Sequence, residues 1–226
     1  MKKNTLLAIA ISLFCASSAS SQTTASVIDW KMTELPGITE IKGAPIEIET
    51  SLGKAISFDG VGDAFFLEKN PLNDLTELTL EVIIKPDGDG KFAQRFLHFG
   101  EVRGERIMFE TRVNPDNTWY FDAHATMPDA KLTLIDEKLI HPTDRWYNVT
   151  LVVGGGCFTS YVNGVKQCSD SLNYTPINVG IASIGVRQNL VDWFKGSIYR
   201  IRITPRPLPS CEFLKDYEEL NIEKQN

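Results

Sequence analysis

A chain of 226 residues with 42% apolar content is long enough to bury a core of its own without staples, and its size fits one domain. The formal charge of -6 is spread along the sequence rather than gathered into blocks, so it offers no basic surface for nucleic acid, and the 3 histidines are too dispersed for a zinc pair. Met1-Lys2-Lys3-Asn4, the apolar run Leu6 to Phe14 and the small residues Ala16 to Ser21 form the charged, apolar and cleavable regions of a bacterial export signal. The apolar run is too short to span a bilayer. The expected division is therefore a signal peptide over residues 1–21 and one domain over residues 22–226, delivered to the periplasm, the cell surface or the medium. A cut after Ser20 competes with one after Ser21, and Cys15 offers a lipid-anchor alternative that the bulky Phe14 before it opposes.

Taken in order, Val27 to Met32 reads as a first strand that closes a sheet against the last one, and Ile46 to Glu49 alternates with both carboxylates outward. Gly53 to Leu67 is strand, Gly60-Val61-Gly62 turn, strand. Asp59 and Asp63 flank that turn closely enough either to offer hard oxygen ligands to calcium or to accept hydrogen bonds from turn amides. Leu78, Leu80, Val82 and Ile84 alternate with Thr79, Glu81 and Lys85, the pattern of a half-buried strand, and Asp87-Gly88-Asp89-Gly90 ends it as a turn.

Arg95 to Gly100, Arg106 to Val113 and Thr118 to Ala125 follow as three consecutive antiparallel strands. In the last, Trp119, Phe121, Ala123 and Ala125 share the core face. Tyr120, Asp122 and His124 share the other, and an aromatic ring, a carboxylate and an imidazole in one row suit stacking on a sugar and gripping its hydroxyls. Met108, Glu110 and Arg112 have the matching parity one strand earlier. Whether they lie beside the row depends on register, and a solvated sheet face is the competing reading.

Lys131 to Ile135 is a short strand, and His141-Pro142 leads into the longest β signal. There Tyr147, Val149, Leu151 and Val153 point inward, Gly154 to Gly156 turn the chain, Phe158 to Val162 returns, and Asn163-Gly164 favours a tight hairpin. Among Cys157, Cys168 and Cys211 one bridge is expected in an oxidising compartment. If Asn163 and Gly164 alone make the turn, Cys157 and Cys168 are diagonal same-face neighbours ~7–8 Å apart, which a bulge would bring within bridging reach. A bridge from either to Cys211 is the second choice.

Val179 to Val186 is a buried strand. In the loop Gln188 to Phe194, Trp193 is either a sugar platform or a plug for the end of the fold. Ile198 to Thr204 places Tyr199, Ile201 and Ile203 inward. Ser210 caps a helix expected over Cys211 to Leu220 with Phe213, Leu214, Tyr217 and Leu220 as its apolar stripe.

Three pieces resemble, in order, concanavalin A-like jelly rolls of the laminin G type: Gly53 to Gly60, Trp146 to Val153 with Tyr161-Val162-Asn163-Gly164, and Phe194 to Ile198 with Arg200 to Ile203. The resemblance implies an all-β, two-sheet antiparallel β-sandwich with a short C-terminal helix, bound to carbohydrate or protein, with calcium near loops such as Asp59 to Asp63. It does not name a ligand. Laminarinase-type relatives place Glu-x-Asp-x-x-Glu on one strand, and no stretch here matches. A lyase would need Tyr120 and His124 beside a neutralising group such as Arg112. The expectation is an exported glycan-binding module without a reaction centre, using Tyr120, Asp122, His124, Arg112, Glu110 and Trp193. A glycoside hydrolase or polysaccharide lyase is the alternative, and an adhesion module with a protein partner the second.

Overall fold

The computed structural model describes residues 25–222. The export signal and Cys15 lie outside the described residues. In chain order the strands are β1 (Ile28–Lys31), β2 (Ile38–Lys42), β3 (Ile46–Thr50), β4 (Gly53–Asp59), β5 (Ala64–Leu67), β6 (Leu78–Pro86), β7 (Ala93–Gly100) and β8 (Arg106–Val113). They continue as β9 (Thr118–Thr126), β10 (Lys131–Ile135), β11 (His141–Pro142), β12 (Tyr147–Gly154), β13 (Cys157–Val162), β14 (Val165–Ser171), β15 (Ile181–Ile184) and β16 (Lys195–Thr204), before one helix, α1 (Asp216–Leu220).

All pairings are antiparallel and sort the strands into two sheets. The first runs β14-β13-β12-β6-β16-β4-β3 with β1 also on β16, and the second runs β10-β9-β8-β7-β15-β5-β2 with β11 on β9. Successive side chains of a strand alternate between faces, so each sheet turns an apolar set toward the other. Tyr147, Val149, Leu151 and Val153 meet Trp119, Phe121, Ala123 and Ala125 in one core, as their spacing predicts. Within it the Phe109 and Phe121 rings stand edge to face at 5.0 Å. Asn163 and Gly164 take φ of 50° and 75° and leave Val162 opposite Val165, the backbone twist a two-residue hairpin needs.

Bulges decide which residues face where, because one extra residue reverses the parity of everything beyond it. In β16 the register slips between Ile198 and Arg200, so Ile198 joins the core. Tyr199 turns outward to Ala55, Ile83 and Trp146, and its hydroxyl donates to the Leu52 carbonyl; the inward position expected of it is corrected. In β14 the slip between the partners of Thr159 and Tyr161 sets Cys168 against the core, while Cys157 stays outside with its Sγ 3.3 Å from Ser169 Oγ. The bulge thus puts the two thiols on opposite faces. Cys157, Cys168 and Cys211 are all free, which corrects the expected bridge.

The strand β6 is buried on both faces rather than one. Glu81 on its outer side is fully buried: Oε1 accepts the Leu214 amide (2.7 Å) and Asn148 Nδ2 (3.2 Å), and Oε2 accepts Arg202 Nε (2.6 Å). Asn148 also donates to the Leu214 carbonyl at 2.8 Å. With both backbone groups of Leu214 held by the sheet, the expected helix from Cys211 cannot form there. The segment is instead a 3-10 turn over Ser210–Glu212 and the short α1. Leu214, Tyr217 and Leu220 still cover Trp146 and Ile83, so the apolar stripe is used without a continuous helix.

Candidate functional site

The outer face of the second sheet carries the polar row read from the sequence. The register sets Met108 opposite His124, Glu110 opposite Asp122 and Arg112 opposite Tyr120. On the other side of β8, Arg95 faces Glu110 and His98 faces Met108. Neither Arg95 nor His98 is legible from alternation, which would put them on opposite faces. A bulge between Arg95 and Leu97 spends Phe96 and Leu97 both on the core and brings the two polar side chains to the same side.

At the centre of this floor is an ion-pair network. Arg112 Nε donates to Asp122 Oδ2 at 3.0 Å, and its Nη2 donates to Glu110 Oε2 at 2.8 Å and to Asp122 Oδ2 at 2.5 Å. Arg95 Nε donates to Glu110 Oε1 at 3.0 Å and its Nη1 pairs with Asp192. Glu110 and Asp122 are each only 2% exposed, and Asp122 Oδ1 is buried without a partner. Burial, then the adjacent Asp122 carboxylate, pushes Glu110 above the usual carboxylate range while Arg95 and Arg112 oppose them.

One end of the floor is aromatic. Phe92, 54% exposed, sets its ring 6.4 Å from that of Tyr120, and the Arg112 guanidinium lies 5.9 Å from the Phe92 centroid. Phe92 stands alone in a turn, where no periodicity marks it. Trp193 packs elsewhere, over Ala64, Phe66 and Val186, where the loop 185–194 roofs part of the sheet.

The other end holds two neutral histidines. His98 Nδ1 accepts the Gln188 amide and its Nε2 donates to the Glu101 carbonyl, each at 3.2 Å, which fixes the tautomer. His124 sits 2.9 Å from Thr133 Oγ1 through Nδ1 and 2.9 Å from Thr126 Oγ1 through Nε2. Burial, reinforced for His124 by the Arg106 charge, lowers both to about 4. Tyr120 and His124 are four residues apart on one strand, ~13 Å at ~3.4 Å per residue, too far to share one proton abstraction.

A buried imidazole that stays neutral gives the fold an acid sensitivity. Its folded pKa of about 4 lies below the ordinary 6.5, so the unfolded chain binds the extra proton between them. The stability is whole above about pH 6.5 and is lost as the pH falls toward 4, ~3 kcal/mol for His98 at ~1.4 kcal/mol per tenfold displacement. An NMR titration is expected to show the His98 ring still neutral at about pH 5.5; a midpoint near 6.5 overturns this.

At the Asp59–Asp63 turn three of the four carboxylate oxygens accept hydrogen bonds from backbone amides. Asp59 Oδ1 accepts the amides of Val61, Gly62 and Asp63, and Asp63 gives Oδ1 to the Ala44 amide and Oδ2 to the Asp59 amide. No third His, Cys, Asp or Glu joins them among the described residues. The carboxylates hold the arch between β4 and β5, which crosses from one sheet to the other.

A laminin G-type family model, described as the concanavalin A-like lectin/glucanases superfamily, matches residues 59–212. The chain belongs to this superfamily. No curated protein sequence matches it. This concanavalin A-like chain is similar in fold to domain 4 of AbnA, a GH43 extracellular arabinanase from Geobacillus stearothermophilus solved with arabinotriose, at 18% identity and TM-score 0.58 over 85% of this chain and 88% of that one. It is also similar to a native heptameric SAP-like pentraxin from Limulus polyphemus, at 18% identity and TM-score 0.51 over 69% and 77%. The binding domain of botulinum neurotoxin DC in complex with SialylT shares 10% identity at TM-score 0.54, over 81% of this concanavalin A-like chain and 46% of that one. Among the described residues no helix is long and apolar enough to cross a membrane.

Proposed function

We propose that the protein is an exported, non-catalytic glycan-binding module, and that the outer face of β7 to β10 is its binding surface. The observation that carries this reading is the exposed Phe92 ring at the end of a polar floor held rigid by the Arg95, Arg112, Glu110 and Asp122 network. Rigid acceptors and donors read hydroxyls, and an exposed ring covers the apolar face of a sugar; a preorganised floor orders little on binding. Sugar-bound structures among the similar folds support the assignment.

One observation favours hydrolysis instead: Glu110 and Asp122 are neighbouring carboxylates, and Glu110 is pushed toward holding a proton. Against it, both carboxylates accept hydrogen bonds from arginine and lie side by side on one sheet face, not on opposite walls of a cleft. Affinity electrophoresis against a polysaccharide panel separates the two. Binding without release of reducing ends, weakened about fivefold in Phe92→Ala, is expected, since an aromatic contact is worth ~1 kcal/mol. Release of reducing ends that disappears in Glu110→Gln establishes the hydrolase.

A further inference from the structure

The turn between β7 and β8, residues 101–105, gathers one neutral imidazole and two guanidiniums. Its Glu101 carbonyl accepts His98 Nε2 at 3.2 Å, its Val102 carbonyl accepts Arg187 Nη2 at 3.2 Å, and its Gly104 carbonyl accepts Arg106 Nη1 at 2.7 Å. Arg106 Nη2 also lies 3.5 Å from His124 Nε2. Arg106 and Arg187 are therefore anchored two residues apart on one turn and directed at the histidine end of the floor.

Their partners end there. Arg95 and Arg112 are paired with Asp192, Glu110 and Asp122, whereas neither Arg106 nor Arg187 forms an ion pair among the described residues. The Nε of each is buried without a hydrogen-bond partner, and Arg106 is 8% exposed. The carboxylates of Glu101 and Glu105, on the same turn, reach neither guanidinium. Burial, then the Arg187 charge, pulls Arg106 below the usual guanidinium range. Two like charges without an ion-pair partner, Arg106 buried and Arg187 half-buried, are costly, and a planar guanidinium is matched by a carboxylate or sulfate taken two-pronged. Along the same turn runs a solvent-open depression of about 680 Å³ whose charged lining is Glu101, Glu105 and Asp129 with Arg103 and Lys131; the two arginines lie behind it.

We infer that Arg106 and Arg187 form an anion subsite, and that the glycan this face takes is an acidic polysaccharide whose carboxylate or sulfate ester is held between the two guanidiniums. The inference rests on the glycan reading and narrows it.

The test uses matched pairs that differ only in charge: dextran sulfate against dextran, and polygalacturonate against its methyl ester, titrated calorimetrically into the wild type, Arg187→Gln and Arg106→Lys. At least one charged member is expected to bind ten times or more tighter than its uncharged twin, the sulfate and carboxylate arms showing which oxyanion is preferred. Arg187→Gln, a substitution at the rim of the floor, is expected to remove that preference without lowering the unfolding midpoint and to lessen the salt dependence of binding. Equal binding of charged and uncharged twins overturns the subsite and leaves the glycan reading standing. A charge preference unchanged in Arg187→Gln and in Arg106→Lys also overturns the assignment. Retention of none of the four polymers overturns both.

Discussion

Glu81→Ala is expected to cost the fold about 3–5 kcal/mol, the range for removing one partner of a buried ion pair. The carboxylate is fully buried and answers three separate donors: the Arg202 guanidinium, the Asn148 amide and the Leu214 backbone. Without it, Arg202 keeps a charge half sunk against the sheet, and the Leu214 N–H has no acceptor. The segment 210–220 then loses its tether and uncovers Trp146, Ile83 and Tyr199. Urea denaturation checks the size of the loss, and faster proteolysis after Phe213 checks its place. A loss under about 1 kcal/mol, the scale of an ordinary hydrogen bond, would mean that Leu214 and Tyr217 hold the segment by apolar contact alone.

Arg112→Met has an effect of similar size with a distinctive pH dependence. Arg112 Nη2 is shared by Glu110 and Asp122, which face each other across the β8–β9 register at 2% exposure each. Removing the guanidinium leaves two carboxylates side by side, and one of them is driven to a higher pKa than in the unfolded chain. A carboxyl raised in the folded state destabilises above its folded pKa and ceases to do so once the pH falls below its unfolded value. The variant should therefore lie about 3–5 kcal/mol below the wild type near pH 7.5, with the gap narrowing by more than half near pH 4.5. Urea midpoints of both proteins at the two pH values decide it; a constant gap would show that Arg112 serves the floor through packing against Phe92, not through charge.

Much of the fold was legible because alternation is a local property. The odd positions of β12 and the two faces of β9 follow from side chains that point to opposite sides by geometry alone. What escaped lies beyond single-residue slips. A bulge is one unpaired residue with no composition of its own, yet it moved Tyr199 outward, separated Cys157 from Cys168 and set Arg95 beside His98. Two more members of the candidate site were hidden for different reasons. Phe92 is a solitary ring in a turn, and Arg187 belongs to a loop whose course over the sheet depends on Gln188 and Asp192 reaching His98 and Arg95. The half-buried reading of β6 failed because alternation reports one sheet face, while the cover over the other comes from residues 130 positions downstream.

The strand β16 lies between β6 on one side and β4 and β1 on the other, so the middle of the first sheet is the last of the described strands in chain order. Until it pairs, the β3–β4 hairpin and the β6-β12-β13-β14 ribbon are separate pieces with a seam between them, each with an unfilled edge. Closing the seam is thus a step of high contact order, of the kind that takes milliseconds to seconds, and a chaperone has that interval in which to keep the two half-sheets apart.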